Sequence, residues 1–192
     1  MKLIFASNNQ NKLREIKALI PPSIEILSLE DIQYNQEIEE TGHTLEDNAA
    51  IKARTIFDVT GEACFADDSG LLVDFLDGQP GVKSARYAGE PSDNSANMDL
   101  LLLNLGKTEN RNAKFQTVIC YKDATQELYF KGEIKGNITH SKNGTQGFGY
   151  DPIFTPLGYS QTFAEMTAEE KNKISHRKNA ITQLILFLNG LK

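Results

Sequence analysis

The chain has 192 residues, with 26 Asp and Glu against 20 Lys and Arg for a formal charge of −6. That length holds one domain with a core and a cleft, and an acidic chain with no Lys/Arg run argues against non-specific nucleic-acid binding. The N-terminal MKLIFASNNQ has only a short apolar run, the run from Ile181 to Leu188 falls far below the ~20 residues of a membrane span, and Cys64 and Cys120 lack the spacing of a zinc site or disulfide framework. A cytoplasmic protein with two buried thiols is the expectation.

In chain order, Lys2 to Ala6 reads as a buried strand that stops at Ser7-Asn8-Asn9. Leu13, Ile16, Leu19 and Ile20 then recur at helical spacing, predicting a helix from Lys12 that Pro21-Pro22 ends. Thr44-Leu45-Glu46-Asp47 resembles a capping box with Asp in place of Glu, opening a helix to about Val59 whose apolar line is Leu45, Ala49, Ala53 and Ile56. Asn48 and Lys52 share another face of that helix, one turn apart. Cys64–Ala66 and Leu71–Phe75 read as strands on either side of a sharp Asp-Asp-Ser-Gly turn, and a helix is expected across Asn97 to Leu105. Alternation from Lys114 to Tyr121, then a polar connection into Leu128-Tyr129-Phe130, predicts an antiparallel pair. Thr167 with Glu170 caps a short helix, and Ile181, Leu184, Ile185 and Leu188 mark one face of a longer helix ending near Gly190. The series predicts an α/β fold, residues 1–192 as a single domain, with a mixed sheet flanked by helices and two lobes around a central substrate cleft.

Five segments carry chemistry. Asp67 and Asp68 end an apolar run, where a carboxylate costs several kcal/mol to desolvate unless cations or donors meet it. A hard divalent metal is the simplest such partner, and magnesium keeps positions for phosphate oxygens; the plainer alternative is a solvated turn. Ser7, Asn8, Asn9, Gln10, Asn11 and Lys12 lie where a strand passes into a helix, so backbone N–H groups and one ammonium can converge on an anion, although Ser and Asn also serve there simply as caps. Glu37, Glu39 and Glu40 precede Thr41-Gly42, either as a solvated acidic loop or as the source of a second metal carboxylate. Gln146-Gly147-Phe148-Gly149-Tyr150-Asp151 either stacks a ring on a flat ligand and offers its edge a carboxylate or is simply a turn with an aromatic anchor, and His176 and Arg177 are donors at a helix start that Ser175 caps.

Taken together, these segments closely resemble the inosine triphosphate pyrophosphatase family. The resemblance runs through SNNQNK (7 to 12), EETG (39 to 42), DNAAIKAR (47 to 54), ADDSGLLVD (66 to 74), PGVKSARYAG (80 to 89), GFGYDPIF (147 to 154) and EEKNKISHR (169 to 177). It implies a long curved mixed sheet, a homodimer, a Mg²⁺ requirement, and cleavage of ITP, dITP and XTP between the α- and β-phosphates. By position, Ser7 to Lys12 with Lys52 and Lys171 match the triphosphate contacts, and Glu40 and Asp68 the metal carboxylates. Asp68 is also the family's proton acceptor, with Asp67 and Ser69 flanking it. Phe148, Gly149, Tyr150 and Asp151 with His176 and Arg177 match the base pocket. Rival readings are an enzyme that clears modified pyrimidine triphosphates and a nucleotide sensor without turnover.

Overall fold

The computed structural model describes residues 1–190, so Leu191 and Lys192 of the expected 1–192 domain lie outside the described residues. Strands β1 (Lys2–Phe5), β2 (Glu25–Leu27), β3 (Cys64–Val73), β4 (Asn112–Lys122), β5 (Glu127–Ile138) and β6 (Phe154–Pro156) form one six-stranded sheet in the order β2-β1-β3-β4-β5-β6. It is mixed. β1 runs parallel to both β2 and β3, Leu3 facing Ile26 and Phe5 facing Phe65, whereas β5 and β6 are antiparallel. The helices are α1 (Gln10–Leu19), α2 (Leu45–Thr60), α3 (Asn94–Leu105), α4 (Ala168–Ile174) and α5 (His176–Gly190). None of the described helices is long and apolar enough to cross a membrane.

Residues pack into two compact units. Among the described residues, the first comprises 1–68, 117–132 and 177–190, and the second 69–116 and 133–176. In the first, Leu3 and Phe5 of β1, Leu13 and Ile16 of α1, Phe65, Ile119, Tyr121, and Ala180, Ile181, Leu184 and Leu188 of α5 share one core. Phe5 stacks on Phe65 at 5.0 Å. In the second, Leu71 and Val73 meet Met98, Leu101 and Leu105 of α3, with Phe115, Phe154 and Phe163 beside them. Each fully buried side chain of this kind contributes about 1.5–3 kcal/mol. Cys64 and Cys120 are buried free thiols, as expected, and burial pushes both up to about 12, which keeps them protonated and unreactive near neutrality.

Side-chain caps account for the helix starts. Asn9 accepts from the N–H groups of Asn11 and Lys12, so α1 begins at Gln10, two residues before the expected Lys12. Ile20 is extended because Pro21 follows. Thr44 and Asp47 form the expected capping box, and Gly61 closes α2 in the left-handed conformation. Asp93 caps Ser95 and Ala96, moving the start of α3 three residues ahead of Asn97.

The sharp acidic turn is not there. Asp67, Asp68, Ser69 and Gly70 lie inside the ten-residue strand β3, and both carboxylates are buried. Gly70 is a glycine for space: a Cβ there would come within 2.5 Å of the Gly81 carbonyl oxygen. Turn preference gave way to ion pairing along the strand. β5 also continues well past Phe130 to Ile138, whose N–H donates to the carbonyl of Arg111 just ahead of β4, and Asp123 closes the intervening tight connection by accepting from Thr125 and Gln126.

Candidate functional site

In the first unit, strand β1 delivers the chain to the N-terminus of α1, strand β3 carries Asp67 and Asp68, and α2 presents Asn48 and Lys52 from its buried face. The alanines at 49, 50 and 53 are buried beside them, and their small size allows a helix bearing an amide and an ammonium to pack closely. The side chains that converge are Lys12, Glu15, Glu40, Asn48, Lys52, Asp67, Asp68 and Arg177.

Two subclusters share this space. Lys52 Nζ lies 2.5 Å from Glu40 Oε1 and 3.9 Å from Asp68 Oδ1, so carboxylates from a loop and a strand face one cation. Asn48 Nδ2 donates to Asp68 Oδ2 at 3.1 Å. Beside them, Asp67 is fully buried between Lys12, 3.2 Å from its Oδ1, and Arg177, whose Nε donates to its Oδ2 at 3.3 Å. The Arg177 guanidinium also donates to Glu15 through Nη1. Four carboxylates thus stand among three cations, so the charges are nearly matched.

Burial and neighbouring charge set the protonation tendencies. Burial raises the Asp68 carboxyl above its ordinary range, with Glu40 adding to the shift and Lys52 and Lys12 opposing it. For Asp67, burial is outweighed by Lys12, Arg177 and Lys52, which hold its carboxyl well below that range. Burial lowers Lys12. Lys52 feels burial most strongly, yet Asp68, Glu40 and Asp67 together keep it above the ordinary lysine value. One acid is therefore pinned as a carboxylate while its neighbour holds a proton more readily.

The donor set fits a divalent metal. Glu40 and Asp68 supply hard oxygen ligands aimed at a common cation, and magnesium is typically held by one or two carboxylates. Among the described residues, no group of three or more His, Cys, Asp or Glu side chains forms a larger ligand set.

Of the segment expected to contact a triphosphate, Ser7 is half-buried and its Oγ accepts from the Asn9 N–H, while Asn8, Asn9, Gln10 and Asn11 are exposed at the start of α1. Lys12 alone of them joins the buried cluster.

The second unit holds the remaining expected residues. Asp151 Oδ2 accepts from the Phe148 N–H at 2.9 Å and from Lys171 Nζ at 2.6 Å, closing the Gly147–Asp151 loop. Gly147, at φ +74°, has no substitute, because a Cβ would sit 2.0 Å from that same oxygen. Lys171 lies over the rings of Phe148 and Phe163 at 4.9 and 5.5 Å. His176 is buried and stacks on Phe115 at 4.8 Å. Tyr150 is a core residue whose hydroxyl donates to the Ser84 carbonyl. Ser69, next to Asp68 in β3, is half-buried.

Sequence reasoning therefore placed Lys12, Lys52, Glu40 and Asp68 where the structure brings them together. Lys171, assigned to the triphosphate, instead pairs with Asp151. Arg177, assigned to the base, is fully buried between Glu15 and Asp67 in the first unit. Reasoning missed Glu15 and Asn48. The pairing of buried Asn48 with Lys52 on one helix face was the available signal for the second; for Glu15 there was none.

An α/β fold that gathers buried ammonium groups and carboxylates where parallel strands give way to helices is the architecture of an enzyme that handles polyanions. The chain belongs to the Ham1 family, whose model matches residues 3–187. It is 54% identical to a dITP/XTP pyrophosphatase of Flavobacterium psychrophilum over 99% of this chain and all of that protein, and 47% identical to one of Bacillus licheniformis over 98% of each. Among solved structures, the Ham1 protein of Staphylococcus aureus matches with a TM-score of 0.92 at 40% identity over the whole of both chains.

Proposed function

We propose that this chain hydrolyses noncanonical purine nucleoside triphosphates, ITP, dITP and XTP, to the nucleoside monophosphate and pyrophosphate, cleansing the nucleotide pool. The observation that carries the reading is the convergence of Glu40 and Asp68 on Lys52, with Lys12 held beside them by Asp67. Family membership and relatives named for dITP and XTP support it. The resemblance adds Mg²⁺ as cofactor and a homodimer, and the sequence pattern adds a cytoplasmic location and residues 1–192 acting as one domain.

In this reading Glu40 and Asp68 hold Mg²⁺, which when bound offsets phosphate charge. Lys12 and Lys52 are ammonium groups placed where a departing pyrophosphate gains charge, and buried cations act there more strongly than in water. The N–H groups opening α1, with Ser7 to Asn11, bind phosphate oxygens. Asp68, its carboxyl raised by burial, accepts the proton of the water that attacks the α-phosphorus in line. Phe148 to Asp151 and His176 take the base. Lys171 is a loop-holding cation at Asp151, and Arg177 anchors Asp67.

Selectivity follows from the base edges. Hypoxanthine, xanthine and guanine present an acceptor oxygen at position 6 where adenine presents a donor amino group, and a buried site built for hydrogen bonds can reject the unmatched partner by ~10⁴–10⁵-fold. GTP is refused separately, its 2-amino group meeting crowding or backbone donors in the Phe148–Asp151 loop. Steady-state kcat/KM measured on ITP, dITP, XTP, GTP and ATP is expected to place the first three well ahead of the last two, with little dependence on the 2′-hydroxyl. Equal values for ITP and ATP contradict the substrate assignment.

A further inference from the structure

Asn48 is 3% exposed on the buried face of α2, where an amide is costly unless both its donor and its acceptor are met. Both are met within the first unit. Its Nδ2 donates to Asp68 Oδ2 at 3.1 Å, and its Oδ1 accepts from the backbone N–H of Gly42 at 2.8 Å. Gly42 lies two residues beyond Glu40. One short side chain with two torsions thus ties the strand that carries one acid to the loop that carries the other. The loop approaches so closely that residue 42 has no room for a side chain: a Cβ there would meet Asp47 Cβ at 2.5 Å and Asn48 Oδ1 at 2.6 Å.

Only a carboxamide serves both ends. A carboxylate at position 48 keeps the acceptor for Gly42 but loses the donor and sets like charge against Asp68, while an aliphatic side chain leaves both partners unmet. The bond takes Asp68 Oδ2, and Oδ1 is the oxygen on the Lys52 side. The amide therefore fixes which oxygen of Asp68 faces the shared cation position, and at the same time how far Glu40 stands from it.

We propose that Asn48 is a positioning residue for the acidic pair, holding Asp68 and the Glu40 loop in register so that the two carboxylates take one divalent cation. This rests on the reading of Glu40 and Asp68 as metal ligands. Groups that orient metal ligands from outside the coordination sphere typically carry 10–100-fold in affinity or activity, roughly the effect expected here.

The test uses Mn²⁺ as the probe, titrated into the full chain without nucleotide and followed by the EPR signal of the free ion, alongside kcat and KM for ITP and thermal melting. Asn48→Ala and Gly42→Ala are each expected to weaken Mn²⁺ binding by ~10–100-fold and to lower kcat with little change in KM, elevated Mg²⁺ restoring part of the turnover. Folded variants that bind Mn²⁺ as the unmutated chain does overturn the role of Asn48 and leave the metal site standing. An unmutated chain that binds no Mn²⁺ overturns the metal reading, and this proposal with it. If Asn48→Ala does not fold, Gly42→Ala decides, since it separates the loop from an amide that is still present.

Discussion

Asp68→Asn is expected to lower kcat by ~10²–10⁴ at every Mg²⁺ concentration, the usual worth of a positioned acid–base group, while the protein folds and melts as before. The substitution keeps the shape of a side chain buried in β3 and removes its charge. Lys52 keeps Glu40 as its partner at 2.5 Å, so no buried ammonium is stranded. In the proposed mechanism, what disappears is one of two metal carboxylates and the acceptor for the proton of the attacking water. Rates measured across a Mg²⁺ series, with circular dichroism as the control for folding, check it. Near-normal turnover would make the acidic pair structural.

Asp67→Asn should act on stability instead. Asp67 is fully buried and is contacted by both Lys12 and Arg177, and removing one partner from a buried ion cluster commonly costs about 3–5 kcal/mol because the others stay buried and uncompensated. For a chain of this size each kcal/mol is worth roughly 2–4 °C, so the melting temperature should fall by about 6–20 °C. Urea denaturation gives the free energy directly. The sign with pH follows from the same geometry: a carboxyl held below its ordinary range stabilises the fold above the usual carboxylate pKa, and that contribution fades as pH falls toward the depressed value. A loss below about 1 kcal/mol, the scale of an exposed pair, would mean that the cluster is effectively solvated.

Local chemistry was legible in the sequence, and long-range pairing was not. Thr44 with Asp47, and Thr167 with Glu170, announce their helices because a cap is settled within four residues. The α1 start was misjudged by two residues because Asn9, the true cap, sits among several residues able to cap. Asp-Asp-Ser-Gly reads as a turn on local preference alone. It is a strand because Lys12 and Arg177 meet Asp67, and Arg177 is 110 residues away along the chain. The same distance hid the true partners of Arg177: spacing shows that His176 and Arg177 begin a helix, but not that the arginine turns to Glu15 and Asp67. Lys52 was visible by family position, whereas Asn48, one turn before it, acquires meaning only once Gly42 and Asp68 are seen on either side of it.

The most direct test of the central claim is the identity of the first products from ITP under excess Mg²⁺ in ¹⁸O-labelled water, read by phosphorus NMR and mass spectrometry. Attack at the α-phosphorus predicts the monophosphate and pyrophosphate, with the label in the monophosphate and no turnover once the metal is chelated. Orthophosphate and the diphosphate as first products would place attack at the γ-phosphorus and contradict the assignment.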